Sequence, residues 1–235
     1  MSKTFKRFYK QAESRQAETG FAIHLDGKPI KTPGARALTA PVQALAEAIA
    51  AEWTEQGEMV VPATMPLTQL TSTAIDRVGP ERPHITAELM NYGGTDLLCY
   101  RAECPGDLVA RQTRDWQPLL DWAALTLDAP LITTTAMAAV AQPSQSLAAL
   151  ERHLGQVDVW RLTAIQSATA ALGSLILALA LAEGRLSAEQ AFQLSQLDET
   201  YQIEQWGEDY EAADRRAELA ADIAAAGRFL DLLKG

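Results

Sequence analysis

The sequence predicts an α+β fold, with a small N-terminal domain of antiparallel strands and packed helices and a larger, all-helical C-terminal domain. Three observations predict it. Apolar residues alternate with period two around residues 21–25 and run into a hairpin turn; from Leu67 onward the apolar period is helical; and Gly79-Pro80, a pair that terminates helices, stands just beyond the change. The expected domains are residues 1–80 and 81–235.

In the first domain Phe21, Ile23 and Leu25 alternate with Ala22 and His24, and Asp26-Gly27 is the pair favoured in a two-residue turn. Lys28 to Thr32 is expected to return as a strand that Pro33-Gly34 ends, with a short extended piece at Arg36 to Leu38. Thr39 and Pro41 offer helix-start chemistry ahead of the stripe Val42, Leu45, Ile49 and Trp53. Leu67, Leu70, Ala74 and Val78 mark a second helix.

Beyond residue 80 no strand pair is expected. Leu108 to Leu127 reads as a helix that Pro118 kinks or splits, because proline removes a backbone donor. Ala168 to Ala182 is the most apolar stretch, but Gly173 and Ser174 interrupt it and it falls short of the roughly 20 residues a bilayer span needs. It reads as a helix buried in a soluble core. Ser187 and Gln190 fit a capping box. A last helix is expected from about Asp198 to Leu233, weakened locally at Gly207.

Composition excludes several functions. A net charge of −10 and a pI near 4.8 argue against nucleic acid or anionic lipid as partner, since both need a basic face. Cys99 and Cys104 stand as C-x4-C without a second pair or a histidine cluster, so they suit reduced thiols rather than a framework or a zinc site. No phosphate-cradling glycine loop, dinucleotide fingerprint or nucleophile elbow occurs, so no cofactor is expected. His84 and Glu88, at i and i+4, read as a surface contact rather than metal ligands.

The stretch YQIEQWGEDYEAADRR, residues 201–216, concentrates five carboxylates, two arginines and three aromatic rings. On one continuous helix Glu204, Glu208 and Glu211 would share a face, with Ile203, Trp206, Tyr210 and Ala213 on another. Such a row can be catalytic, metal-binding, a recognition strip or a wet surface. Two acids side by side on one helix cannot straddle a substrate, so catalysis would need a further acid, such as Asp96 or Asp121, in a hydrolase or lyase working in a cleft between the domains. Tyr201, Trp206 and Tyr210 bordering the acids suit protein recognition. Recognition and a solvated surface both remain open on these residues.

Seven segments bear on the choice: LDGKPIKTP (25–33), LAEAIAAEW (45–53), MPLTQLTSTAIDRV (65–78), TDLLCYR (95–101), WQPLLDWA (116–123), GSLILALAL (173–181) and YQIEQWGE (201–208). In these, and in their order, the chain resembles the assembly chaperones of the F-type ATP synthase catalytic sector, which bind the unassembled alpha subunit in mitochondria and alpha-proteobacteria. The resemblance implies a strand-rich N-terminal domain, a helical C-terminal domain, no enzymatic activity, no use of ATP, and the alpha subunit as protein partner. It implies that Glu204 and Glu208 form a functional surface with Trp206 beside them; Tyr201, Tyr210 and Glu211 complete the expected partner-binding set. The short start implies a bacterial, cytoplasmic member, or a mitochondrial matrix protein if the chain is a processed form.

Overall fold

The computed structural model describes residues 4–136, 138–207 and 209–234. The chain forms two compact units: residues 1–82, 159–164 and 228–235 make the first, and residues 83–158 and 165–227 the second.

In the first unit β2 (Ala12–Gln16), β3 (Phe21–Leu25) and β4 (Lys28–Pro29) form an antiparallel sheet, and β5 (Thr39–Ala40) also pairs with β3. A separate two-stranded ribbon joins β1 (Phe5–Lys6) to β6 (Met59–Val60). Leu25 pairs with Lys28, so Asp26 and Gly27 make the predicted two-residue turn with φ of 49° and 77°. The Asp26 carboxylate accepts from the backbone N–H groups of Gln11 (2.9 Å) and Lys10 (3.0 Å), and these bonds hold it below the ordinary carboxyl range. The return strand is shorter than the sequence predicts. After Pro29 the chain loops instead: Ile30 N donates to Ile23 O, Ile23 N to Leu38 O and Leu38 N to Ile30 O, so residues 28–30 and 38–40 share the edge of β3.

Helix α1 (Gln43–Thr54) lies over β2 and β3 and buries Leu45, Ala46 and Ile49. Its start differs from expectation. Thr39 is committed to β5, Val42 occupies the cap position, and no side chain caps the helix. Glu52, buried on α1, instead caps α2 (Pro66–Thr73): its carboxylate accepts from Leu67 N at 2.7 Å, and from Thr68 N and Thr68 Oγ1 at 2.8 and 2.7 Å. Burial raises its pKa against the pull of those donors. The predicted stripe through Val78 continues α2 as a π-helical turn, Ala74–Val78.

The second unit is helical: most of α3 (Arg82–Gly94), then α4 (Gly106–Thr126), α5 (Ser144–Gln156), the end of α6 (Val159–Leu172), α7 (Leu175–Ala182), α8 (Ala188–Ser195), α9 (Leu197–Trp206) and most of α10 (Tyr210–Leu232). Its described backbone pairing outside helices includes one isolated bridge, Tyr100 to Thr134. Pro118 neither splits nor ends α4. Pro118 and Arg114 are both exposed, so the carbonyl that loses its intrahelical donor stands on the solvent side, while Trp116, Leu119 and Leu120 anchor the other face in the core. The Trp116 indole donates to Leu194 O at 2.9 Å.

The apolar run predicted as one buried helix over residues 168–182 is divided at Gly173 and Ser174: its first part ends α6, with Ala170 and Gly173 exposed, while every residue of α7 is buried. The N-terminus of α7 therefore opens inside the core, where unpaired N–H groups are costly. Ser174 Oγ accepts from Leu177 N (3.0 Å) and donates to Asp96 Oδ1 (2.7 Å), while Asp96 Oδ2 accepts from Ile176 N (3.0 Å). Asp96 Oδ1 also accepts from Leu98 N (3.1 Å), capping the 3-10 turn Leu97–Cys99. One fully buried carboxylate thus serves two helical starts. Arg101 is not paired with Asp96 but donates to the carbonyls of Leu98 and Gln112 at 2.7 Å. Cys99 and Cys104 are free thiols; burial pushes that of Cys99 up to about 12, leaving it a small apolar side chain.

Burial raises the Asp96 carboxyl from 3.8 to about 6 despite its donors. The folded state then holds the proton more tightly than the unfolded chain, so this contribution to stability is full below pH 3.8 and is lost as the pH rises through about 6. In urea unfolding, the advantage of wild type over Asp96→Asn, whose amide does not titrate, is expected to shrink by about 2 kcal/mol between pH 4.5 and 7.5. A difference constant across that range would show that the carboxyl is not elevated. Asp96→Ala is expected to cost about 3 kcal/mol or more, because it strands buried donors.

Candidate functional site

The terminal acidic and aromatic stretch is two helices rather than one. α9 ends at Trp206, and Gly207 follows with φ 85° and ψ 166°, a backbone region open essentially to glycine alone. Gly207 N still donates to Ile203 O at 2.8 Å, which closes α9. Asp209 opens α10, its carboxylate accepting from Ala212 N at 2.8 Å. A glycine followed two residues later by an aspartate is the sequence signal for this break.

The break removes the common helical phase on which a single glutamate row depends. Glu204 remains on α9, Glu211 belongs to α10, and Glu208 lies outside the described residues. Glu204 is taken by an arginine from the neighbouring helix, with Arg111 Nη1 of α4 2.7 Å from Glu204 Oε2. Both side chains are partly exposed, 35% for Arg111 and 43% for Glu204, so the pair is worth about 1 kcal/mol or less. Tyr201 is buried, against the expectation that its ring meets a partner. Its hydroxyl donates to the Asp107 carboxylate at 3.0 Å, and the Arg111 guanidinium lies 5.2 Å from its ring centroid. Burial first, then the Asp107 hydrogen bond, raise the phenol above its ordinary value, so it stays a donor.

Trp206 and Tyr210 stand on either side of the break with 79% and 93% of their surface exposed. Two grooves of the second unit adjoin this region. The larger, about 1120 Å³, is lined by Arg111, Arg114, Phe192 and Glu204 among others. The second, about 700 Å³, gathers Asp198, Glu199, Asp209 and Glu211 against Arg215 and Arg216. Glu204 and Glu211 therefore face different grooves. Asp198 is half-buried; burial raises its carboxyl, opposed by the Gln112 amide that donates to it at 2.8 Å and by Arg101. Sequence reading missed Asp198, Glu199 and Asp209, whose grouping arises from the fold of α9 against α10.

The arrangement offers acids and aromatic surface to a basic, partly apolar ligand. No group of His, Cys, Asp and Glu among the described residues could hold a metal ion. His84 and Glu88 form an exposed i, i+4 pair at 3.1 Å. The two candidate second acids serve structure: Asp96 caps helices, and Asp121 accepts from Gln117 on its own helix at 2.8 Å.

Comparison with known proteins agrees over most of the chain. Residues 6–124 match the family model described as ATP12 chaperone protein. Over 216 residues the chain is 28% identical to the mitochondrial protein atp12 of Schizosaccharomyces pombe, spanning 87% of this chain and 74% of that one. The crystal structure of Atp12 from Paracoccus denitrificans superposes with a TM-score of 0.92 at 41% identity, over 97% of each chain. A solved Agrobacterium tumefaciens protein gives a TM-score of 0.93 at 43% identity, over 98% of this chain and 87% of that one. Both structures have the fold class the sequence predicts.

Gly207→Ala places a Cβ in a backbone region that disfavours it, although no neighbour lies within 4 Å to clash. Thermal unfolding is expected to show a loss of about 1–2 kcal/mol. Unchanged stability together with added helical signal in circular dichroism would mean that α9 and α10 can fuse.

Proposed function

The chain belongs to the ATP12 chaperone family, and from that premise we propose that it assists assembly of the ATP synthase F1 sector by capturing the unassembled alpha subunit until the beta subunit replaces it. A chaperone of this family is an assembly factor rather than an enzyme, which sets aside the hydrolase or lyase alternative. The observation that carries the reading is the pair Trp206 and Tyr210, exposed at the α9–α10 break whose next residues, Asp209 and Glu211, line a groove with Asp198, Glu199, Arg215 and Arg216.

An alpha subunit released before its beta neighbour arrives exposes an interface that is normally buried, and apolar surface of that kind drives aggregation. Two large rings can cover such surface, because each supplies wide contact area with few rotatable bonds. The acids around them select a client face bearing basic side chains and speed the encounter. Release needs no nucleotide, since the beta subunit competes for the same client surface. No described helix is long and apolar enough to cross a membrane. The proposed place of action is the compartment in which F1 is assembled, the bacterial cytoplasm or the mitochondrial matrix.

In a binding assay with isolated alpha subunit, the double variant Trp206→Ala, Tyr210→Ala is expected to bind at least tenfold more weakly while keeping its helical circular dichroism. Added salt should weaken the wild-type complex, because exposed charge pairs are screened over about 8 Å at physiological ionic strength. Full retention of the alpha subunit by the folded double variant would place the client contact elsewhere on the protein.

A further inference from the structure

Arg111 reaches from α4 to α9, where it binds Glu204 and covers the ring of Tyr201. Arg114 lines the same groove but takes its own neighbour, Asp115, through Nε to Oδ1 at 2.8 Å and Nη2 to Oδ2 at 2.7 Å. Of these two arginines, Arg111 is the one set on the α9 acid.

We propose that Arg111 is a placeholder for a cation of the client: it occupies Glu204 in the free chaperone, and a basic side chain of the client takes its place. This rests on the reading that the α9 surface meets the client. Capture then proceeds by exchange of one ion pair for another. The displaced guanidinium keeps its ring contact with Tyr201 and has the exposed Asp107 carboxylate one turn earlier on its own helix. A ligand without a cation gains nothing at Glu204, because displacing Arg111 would cost a pair and return none. The placeholder thereby raises selectivity for a basic client while lowering affinity for all clients.

The test measures binding of isolated alpha subunit to the full chain at low salt. Arg111→Gln is expected to tighten binding roughly two- to fivefold, the range set by a half-exposed ion pair. Arg114→Gln, which changes net charge equally, is expected to leave it within about twofold. In a Glu204→Gln background the gain from Arg111→Gln should vanish. Where glutamine disturbs the fold by circular dichroism, Arg111→Met, which keeps an apolar stem over Tyr201, carries the same expectation. Unchanged or weaker binding by a folded Arg111 variant would overturn this inference alone, as would equal tightening by Arg114→Gln. No binding by the wild type would overturn the client reading and this inference with it.

Discussion

The helical unit depends on one constraint: α7 begins inside the core and must find partners there for its first N–H groups. Ser174 and Asp96 supply them, and Asp96 is itself held by the turn Leu97–Cys99. Around α7 pack α4 and α8. Trp116 of α4 is fixed in turn by its bond to Leu194 at the end of α8, and the preceding turns of α4 carry Asp107, Arg111 and Gln112 to α9. The position of Glu204 is thus inherited, step by step, from a carboxylate buried far from it in sequence.

Gly207 supplies the second constraint. An uninterrupted helix of the predicted length would set Trp206 and Tyr210 on the same face as Ile203 and Ala213, which are half-buried. The break falls between the rings, so that Trp206 ends α9 and Tyr210 opens α10, with 79% and 93% of their surface exposed. It also brings Asp209 and Glu211 to the groove that holds Asp198 and Glu199. One residue without a Cβ therefore converts an amphipathic helix into an exposed aromatic corner with acids beside it. Among the described residues, the other large exposed apolar side chains of this unit are Leu125 and Ile132.

Legibility in the sequence followed the range of the interactions. The Asp26-Gly27 turn and the Ser187 and Gln190 capping box are local, each fixed by residues a few positions apart, and each stands where the sequence predicts it, while α7 takes the second part of the predicted apolar helix. Features set by distant partners were not legible. Thr39 reads as a helix cap until β3 claims its backbone, and nothing near Glu52 in sequence shows that α2 brings two N–H groups to it. Tyr201 looks like an interface ring because its hydroxyl partner, Asp107, lies ninety-four positions away. At Gly207 both cues to a break were present, yet the regular acidic spacing outweighed them, since a mid-helix glycine alone costs only about 1 kcal/mol.

Magnitudes indicate how such a surface would hold a client. If Trp206 and Tyr210 each bury on the order of 200 Å² in the proposed complex, their gross contribution is about 10 kcal/mol. The loss of translational and rotational freedom on association costs about 4–15 kcal/mol, so the rings alone approach break-even. Charge then decides the grip. An acid that is already paired, as Glu204 is with Arg111, contributes only the difference between two ion pairs of similar strength. A free carboxylate would contribute more and hold longer, yet a chaperone must surrender its client to the subunit that replaces it. In the proposed complex, pre-pairing the acid would keep the client within reach of competition while preserving the requirement for a basic partner.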